Sequence, residues 1–220
     1  MKRLSSYVRE HKYTLFLLVF WPIQLTWYQS MRIFSADMDV VLFQSPLDAC
    51  IPFCEWFVIP YVMWYPFIAL ITFLSLRSGR KAFWQTQAFV VGCLWLPMIF
   101  ITLVPNGIPY SLQPDFAALG RSNLLIDTVK LIYAGDYPPR NCMPSMHVSL
   151  SLGLFFAVMK NKGLKGKWAL KLAVFVIAVL ISLSTVFIKQ HSVLDLFAGT
   201  GVALFVLVVV SIGERFIFKK

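Results

Sequence analysis

Charge is what this sequence has least of. Only 14% of its 220 residues are charged, while 59% are hydrophobic. A soluble domain carries about a quarter charged residues. The shortfall argues against a soluble fold and for a polytopic membrane protein with one compact bundle. Acids are the scarcer sign, ten against twenty Lys and Arg, for a net charge of +10. In a soluble protein that excess would suggest nucleic acid. Here the basic residues lie in short loops between apolar segments, so the expected partner is the membrane, with no nucleic acid. Cysteines number four (Cys50, Cys54, Cys93 and Cys142), and no His or acid cluster stands beside them to complete a metal site. Free thiols are the favoured reading, and neither a metal nor another cofactor is expected. No internal repeat or low-complexity tract is present. No small-residue cleavage site follows Met1-Lys2-Arg3, so the first apolar segment reads as an uncleaved signal anchor. Apart from Asp195, no acid falls within an apolar segment, which removes the ion relay a transporter needs.

What is present is a series of long apolar runs. A helix crossing the hydrocarbon needs about 20 largely apolar residues. Six segments qualify, near Tyr13–Gln29, Trp56–Leu76, Phe83–Val104, Ser145–Met159, Trp168–Ile188 and Val193–Ile212. The expected fold is therefore all-α, a single integral membrane domain over 1–220 built as a six-helix bundle. Pro60, Pro66 and Pro97 lie inside these spans and predict kinks. The loops sort by charge. Lys2, Arg3, Arg9 and Lys12, then Arg77, Arg80 and Lys81, then Lys160, Lys162, Lys165 and Lys167, then Arg215, Lys219 and Lys220 share one side. The alternate loops hold only Arg32, Arg121, Lys130, Arg140 and Lys189, together with most of the acids. Positive residues stay inside, so both termini are expected in the cytoplasm of a plasma or inner membrane protein. The outer loop from Pro105 to Pro144 is too long for a simple connector. Its segment Asn123–Tyr133 has helical apolar spacing, which fits a helix on the outer leaflet or one packed over the bundle.

Two of the three histidines occur where an apolar span meets an outer loop. Pro144-Ser145-Met146-His147 opens the fourth span, with proline and serine suited to a helix start and free N–H groups that favour an anion. His191 precedes Asp195 by four residues, so a helix would set the carboxylate one turn from the imidazole. Lys189, two residues before His191, is a phosphate-binding candidate as well as a snorkelling helix anchor. Each pattern alone has a plain structural reading. Two histidines, an embedded acid, a lysine and a helix N-terminus on one face point instead to an extracytoplasmic active site.

These residues resemble the membrane-bound type 2 phosphatidic acid phosphatases, or lipid phosphate phosphatases, whose relatives include sphingomyelin and inositol phosphorylceramide synthases. The family's Pro-Ser-x-His element is matched by Pro144-Ser145-Met146-His147. Its Ser-Arg-x5-His-x3-Asp element is matched in spacing by Ser184-Thr185, then His191 and Asp195. The resemblance covers about residues 83–212, the expected catalytic core. Two cations of the family pattern are missing. Thr185 stands in place of arginine, and no Lys-x6-Arg-Pro string precedes Pro144; Pro105-Asn106-Gly107 leading to Gln113-Pro114 is the nearest stretch.

The resemblance implies a metal-independent phosphatase acting on a lipid phosphate or diphosphate at the outer leaflet. His191 would attack phosphorus, Asp195 would orient His191, and His147 would serve the leaving group and then water. Lys189, Ser145, Asn141 and Ser184 are the expected substrate-binding residues, with Arg121, Lys130 and Arg140 as further cations. Phosphatidic acid, phosphatidylglycerophosphate and a polyprenyl diphosphate are candidate substrates. A head-group phosphotransferase and a noncatalytic lipid-binding protein are the alternatives.

Overall fold

A computed structural model describes residues 2–217, with side chains described from 12 to 215. The side chains of Lys2, Arg3, Arg9, Lys219 and Lys220, and the anchor signal at Met1-Lys2-Arg3, lie outside that range. The chain is helical: α1 (Lys2–Phe34), α2 (Val58–Val62), α3 (Trp64–Arg77), α4 (Arg80–Leu103), α5 (Leu124–Gly135), α6 (Met146–Lys160), α7 (Trp168–Phe187) and α8 (Val193–Ile217). One feature departs from an all-α reading. Val41–Leu42 (β1) and Asn106–Gly107 (β2) pair as two short parallel strands that tie the loop after α1 to the long loop after α4. All four cysteines are free.

Among the described residues, four stretches are long and apolar enough to cross a membrane: Glu55–Arg77, Arg80–Leu103, Trp168–Phe187 and Val193–Arg215. The chain is an integral membrane protein. Helix α6 is apolar but shorter, at 15 residues, or roughly 22 Å of rise. Its shortness follows from its start, where Ser145 caps it among polar loop residues. Helix α1 is continuous, but Gln24, Gln29 and its tryptophans and tyrosines dilute its apolar character.

Helix α6 sits at the centre, packed against α4, α7 and α8. Phe89, Cys93, Leu94, Leu150, Leu154, Ala157, Ala178 and Ile181 form the buried heart of that packing. Small residues set the closest approaches. A Cβ on Gly153 of α6 would lie 2.5 Å from the Cys93 sulfur on α4. A Cβ on Gly199 of α8 would lie 2.7 Å from Cβ of Val148 and 3.0 Å from the Ser145 carbonyl. Gly199 thus lets the first turns of α8 lie directly against the first turn of α6.

The prolines act in different ways. Pro66 cannot donate to the Val62 carbonyl, and the helix breaks there: α2 ends at Val62 and α3 resumes at Trp64. Pro60 falls in the first turn of α2, where a missing N–H costs nothing. Pro97 lies inside α4, which runs on through it. The missing N–H frees the Cys93 carbonyl, and Ser149 of α6 donates its hydroxyl to that oxygen at 2.7 Å. A helix defect has become a bond between two helices. Helix α5 packs over the bundle through Ile126 and Val129, with Val129 against Val58, Tyr61 and Ile188, and leaves Leu124 and Leu131 exposed.

Ser149→Ala should destabilise the bundle by about 1–2 kcal/mol, the cost of a buried acceptor left bare. In Pro97→Ala the restored N–H serves the Cys93 carbonyl, so Ser149→Ala should then cost clearly less. Unfolding of the four variants in detergent micelles measures the difference; equal costs in both backgrounds would contradict the assignment.

Candidate active site

The first histidine is placed by a loop that Asn106 holds. The Asn106 side chain donates to the carbonyls of Val104 (2.9 Å) and Met143 (2.8 Å) and accepts from the Met143 N–H (2.9 Å). Its own carbonyl accepts from the Asn141 N–H at 2.7 Å. Gly107 bridges to Arg140, and a Cβ at Gly107 would collide with the Pro139 carbonyl. Asn141 takes a left-handed φ of 58°, a conformation asparagine tolerates better than most residues. Its side-chain carbonyl accepts from Ser35 at 3.3 Å. Ser145 then caps α6, its hydroxyl accepting from the Val148 N–H at 3.5 Å. His147 follows in the first turn, its ring between Tyr61 (centroids 4.4 Å apart) and Trp64 (4.2 Å).

The second histidine lies in the tight connection between α7 and α8. Lys189 turns the chain with φ of 60°, and the N–H groups of Gln190 and His191 both donate to the Thr185 carbonyl. Tyr133 of α5 donates its hydroxyl to the carbonyls of Ile188 (2.9 Å) and Lys189 (2.8 Å). Buried Asp48, from the loop after α1, accepts from the Ser192 hydroxyl (2.7 Å), the Val193 N–H (2.7 Å) and the Ser45 N–H (2.6 Å). A carboxylate at the first N–H groups of α8 also meets the positive end of the helix dipole. Asp195, with no solvent exposure, places Oδ2 at 3.1 Å from Nδ1 of His191. The pair expected from the four-residue spacing is made, with His191 in the bend just before α8 and Asp195 in its first turn.

The two imidazoles lie edge to face, their centroids 6.2 Å apart and their planes inclined by 65°. Both line one cavity of about 340 Å³, walled by α1, α2–α3, Leu94 of α4, Ile132 of α5, the 135–142 loop, the start of α6 and the α7–α8 connection. Arg32, Arg140, Asn141 and Asp136 also line it. Nδ2 of Asn141, Nε of Arg140 and Nε2 of His147 are buried without a partner among the described residues. Unpartnered buried donors beside a cavity are the mark of an absent acceptor. Burial pushes the Asp136 carboxyl above the usual carboxylate range, while His191, Arg32 and the Tyr28 hydroxyl act in the opposite sense. Among the described residues, no three His, Cys, Asp or Glu side chains are grouped to share a metal.

The site residues expected from sequence thus separate. His147, His191 and Asn141 line the cavity, and Asp195 stands directly behind His191. Lys189 does not line it: its ammonium donates to the Asp48 carbonyl at 2.6 Å, and burial lowers its pKa, with Asp48 opposing the shift. Ser145 and Ser184 are fully buried; Ser184 donates to the Ile181 carbonyl at 2.6 Å within α7. Of the further cations, Arg140 lines the cavity. Arg121 pairs with Glu55 at 2.7 Å and Lys130 with Asp127 at 3.6 Å. Sequence reasoning missed Arg32, Tyr61, Trp64, Tyr133 and Asp48. Asp48 had a readable signal, the cap-box spacing Ser45-Pro46-Leu47-Asp48. The others carried none, being ordinary residues of spans and loops.

The sequence model of the PAP2 superfamily matches residues 111–217, the stretch holding both histidine motifs. This part of the chain belongs to that superfamily, the type 2 phosphatidic acid phosphatases. Members are phosphatases or related phosphotransferases, so the chemistry is that of phosphate esters. The match begins downstream of Phe83, where the resemblance in motif order began. No curated protein and no solved structure matches the chain.

Asp48→Ala should free Ser192 and the Val193 N–H together. We expect a stability loss of at least about 2 kcal/mol, as for hydrogen bonds to a buried charge, and faster hydrogen exchange at the Val193 amide. Unchanged exchange there would show that Asp48 does not brace the loop.

Proposed function

We propose that the chain is a metal-independent lipid phosphate phosphatase that works through a phosphohistidine on His191. The observation that carries this reading is the pair of imidazoles on one cavity, one of them held through Nδ1 by buried Asp195. With Nδ1–H donated to the carboxylate, Nε2 keeps its lone pair for attack. That lone pair forms the P–N bond as the ester P–O bond breaks, and protonated His147 gives its proton to the departing alkoxide. Neutral His147 then takes a proton from water, the water oxygen bonds to phosphorus, and the P–N bond breaks to return His191 and free phosphate. Asp195 stabilises the imidazolium character that builds on His191. Arg32, Arg140 and the Asn141 amide line the same cavity and would donate to the equatorial phosphoryl oxygens. In this reading the two arginines substitute for the cations missing from the family pattern, and Lys189 braces the loop.

In this reading α1, α2–α3, α4, α6, α7 and α8 form six spans of one domain, with residues 83–212 as its catalytic core. Basic loops keep both termini in the cytoplasm, and the cavity opens toward the outer leaflet of a plasma or inner membrane. The same phosphohistidine transferred to a lipid alcohol instead of water would make the enzyme a head-group transferase.

His191→Ala should lower phosphate release from a panel of lipid phosphates at least roughly a thousandfold, as loss of a covalent nucleophile does. Alkaline-stable radiolabel from a phosphate-labelled substrate should appear on His191 in the wild type only. Normal turnover by His191→Ala would end the assignment. Chelators should leave turnover intact; inhibition reversed by added magnesium or zinc would contradict the metal-free reading.

A further inference from the structure

The cavity holds polar atoms that the phosphoryl chemistry does not use. Gln24 of α1 is 4% exposed and Trp64 of α3 is 8% exposed, and both line the cavity. Oε1 of Gln24 and Nε1 of Trp64 have no partner among the described residues. Nε2 of Gln24 reaches only the sulfur of Met146, at 3.7 Å, and a thioether is a weak acceptor. Turned either way, the amide keeps one strong hydrogen-bonding group unmatched. A buried polar group left unmatched is costly in an otherwise apolar wall. Leu25, Val62 and Leu94 supply that apolar wall nearby. A cavity that took only a hydrocarbon leaving group would have no use for either atom.

Their position says which part of a substrate they would meet. The Trp64 ring packs on His147, and Gln24 contacts Met146, the residue before it. Trp64 therefore stands against the imidazole that hands a proton to the leaving oxygen, and Gln24 lines the same cavity beside Met146, where the leaving alcohol would lie. With its Nε2 toward Met146, Gln24 leaves an acceptor and Trp64 leaves a donor, which together complement a hydroxyl: its hydrogen to Gln24, its lone pair to the indole N–H.

We propose that Gln24 and Trp64 form a hydroxyl-reading subsite for the leaving alcohol, so that the preferred substrates are phosphate esters of glycerol-type or other polyol lipids with a free hydroxyl near the ester carbon. This rests on His147 being the proton donor of the proposed phosphatase. The subsite lies wholly upstream of residues 111–217, on helices that the superfamily match does not cover. It disfavours polyprenyl phosphates and diphosphates, whose leaving groups carry no such hydroxyl.

The test pairs a lysophosphatidic acid with its 2-deoxy analogue, identical except for the hydroxyl. Phosphate release is measured for the wild type, Gln24→Met and Trp64→Phe. Binding of the matching nonhydrolysable phosphonates is measured in parallel. The wild type should favour the hydroxylated member of each pair by about tenfold or more. Gln24→Met and Trp64→Phe should each bring that ratio toward one, and Trp64→Phe keeps an aromatic ring on His147. No discrimination by the wild type, no binding of either phosphonate, or a ratio unchanged in both variants would overturn the subsite. Discrimination in binding without any phosphate release would instead overturn the hydrolase and leave the subsite standing.

Discussion

A carboxylate with no access to water, Asp195, meets one nitrogen of His191 at 3.1 Å, and the architecture around it serves to keep that pair in place. An isolated buried carboxylate is costly, and a partner fixed by the backbone offsets the cost. Asp48, Tyr133 and the Thr185 carbonyl fix that partner by tying down the main chain from Ile188 to Val193. Gly199 then lets α8 lie against α6, which brings His191 toward His147. The distance between the imidazoles is thus a product of helix packing, not of loop conformation alone. The bond from Ser149 to the carbonyl freed by Pro97 locks α6 to α4 on its other side.

How much of this was readable from sequence depended on the range of the interaction. The spacing His191 to Asp195 is local, and a helix start converts it directly into contact. The cap at Ser145 and the helix over 124–135 are local too, and both are present. Lys189 shows the opposite case. Its proximity to His191 suggested a phosphate contact, but the left-handed turn at that residue carries its ammonium to the Asp48 carbonyl. Arg32 and Asp48 reach the site across more than a hundred residues, and no periodicity announces such contacts. Of the six apolar segments, four are long and apolar enough to cross a membrane among the described residues, and the kink expected at Pro66 is present as the break at Met63.

Residues 111–217 supply both histidines, but the cavity is closed by α1 and α2–α3, outside that match. The two histidines and the wall facing them are therefore separate in the chain. In the proposed function the motifs carry the chemistry, while Gln24, Tyr28 and Arg32 on α1, with Tyr61 and Trp64, line the rest of the cavity. An apolar helix that contributes a glutamine and an arginine to one cavity is not acting merely as an anchor.

The proposed chemistry requires one phosphoryl group to lie between the two rings, and orthovanadate, a mimic of the five-coordinate transition state, reports on that directly. A structure with vanadate bound should show vanadium bonded to Nε2 of His191, an apical oxygen hydrogen-bonded to His147, and equatorial oxygens on Arg140 and Asn141. Vanadate bound away from His191, or reaching it with His147 turned elsewhere, would contradict the central claim.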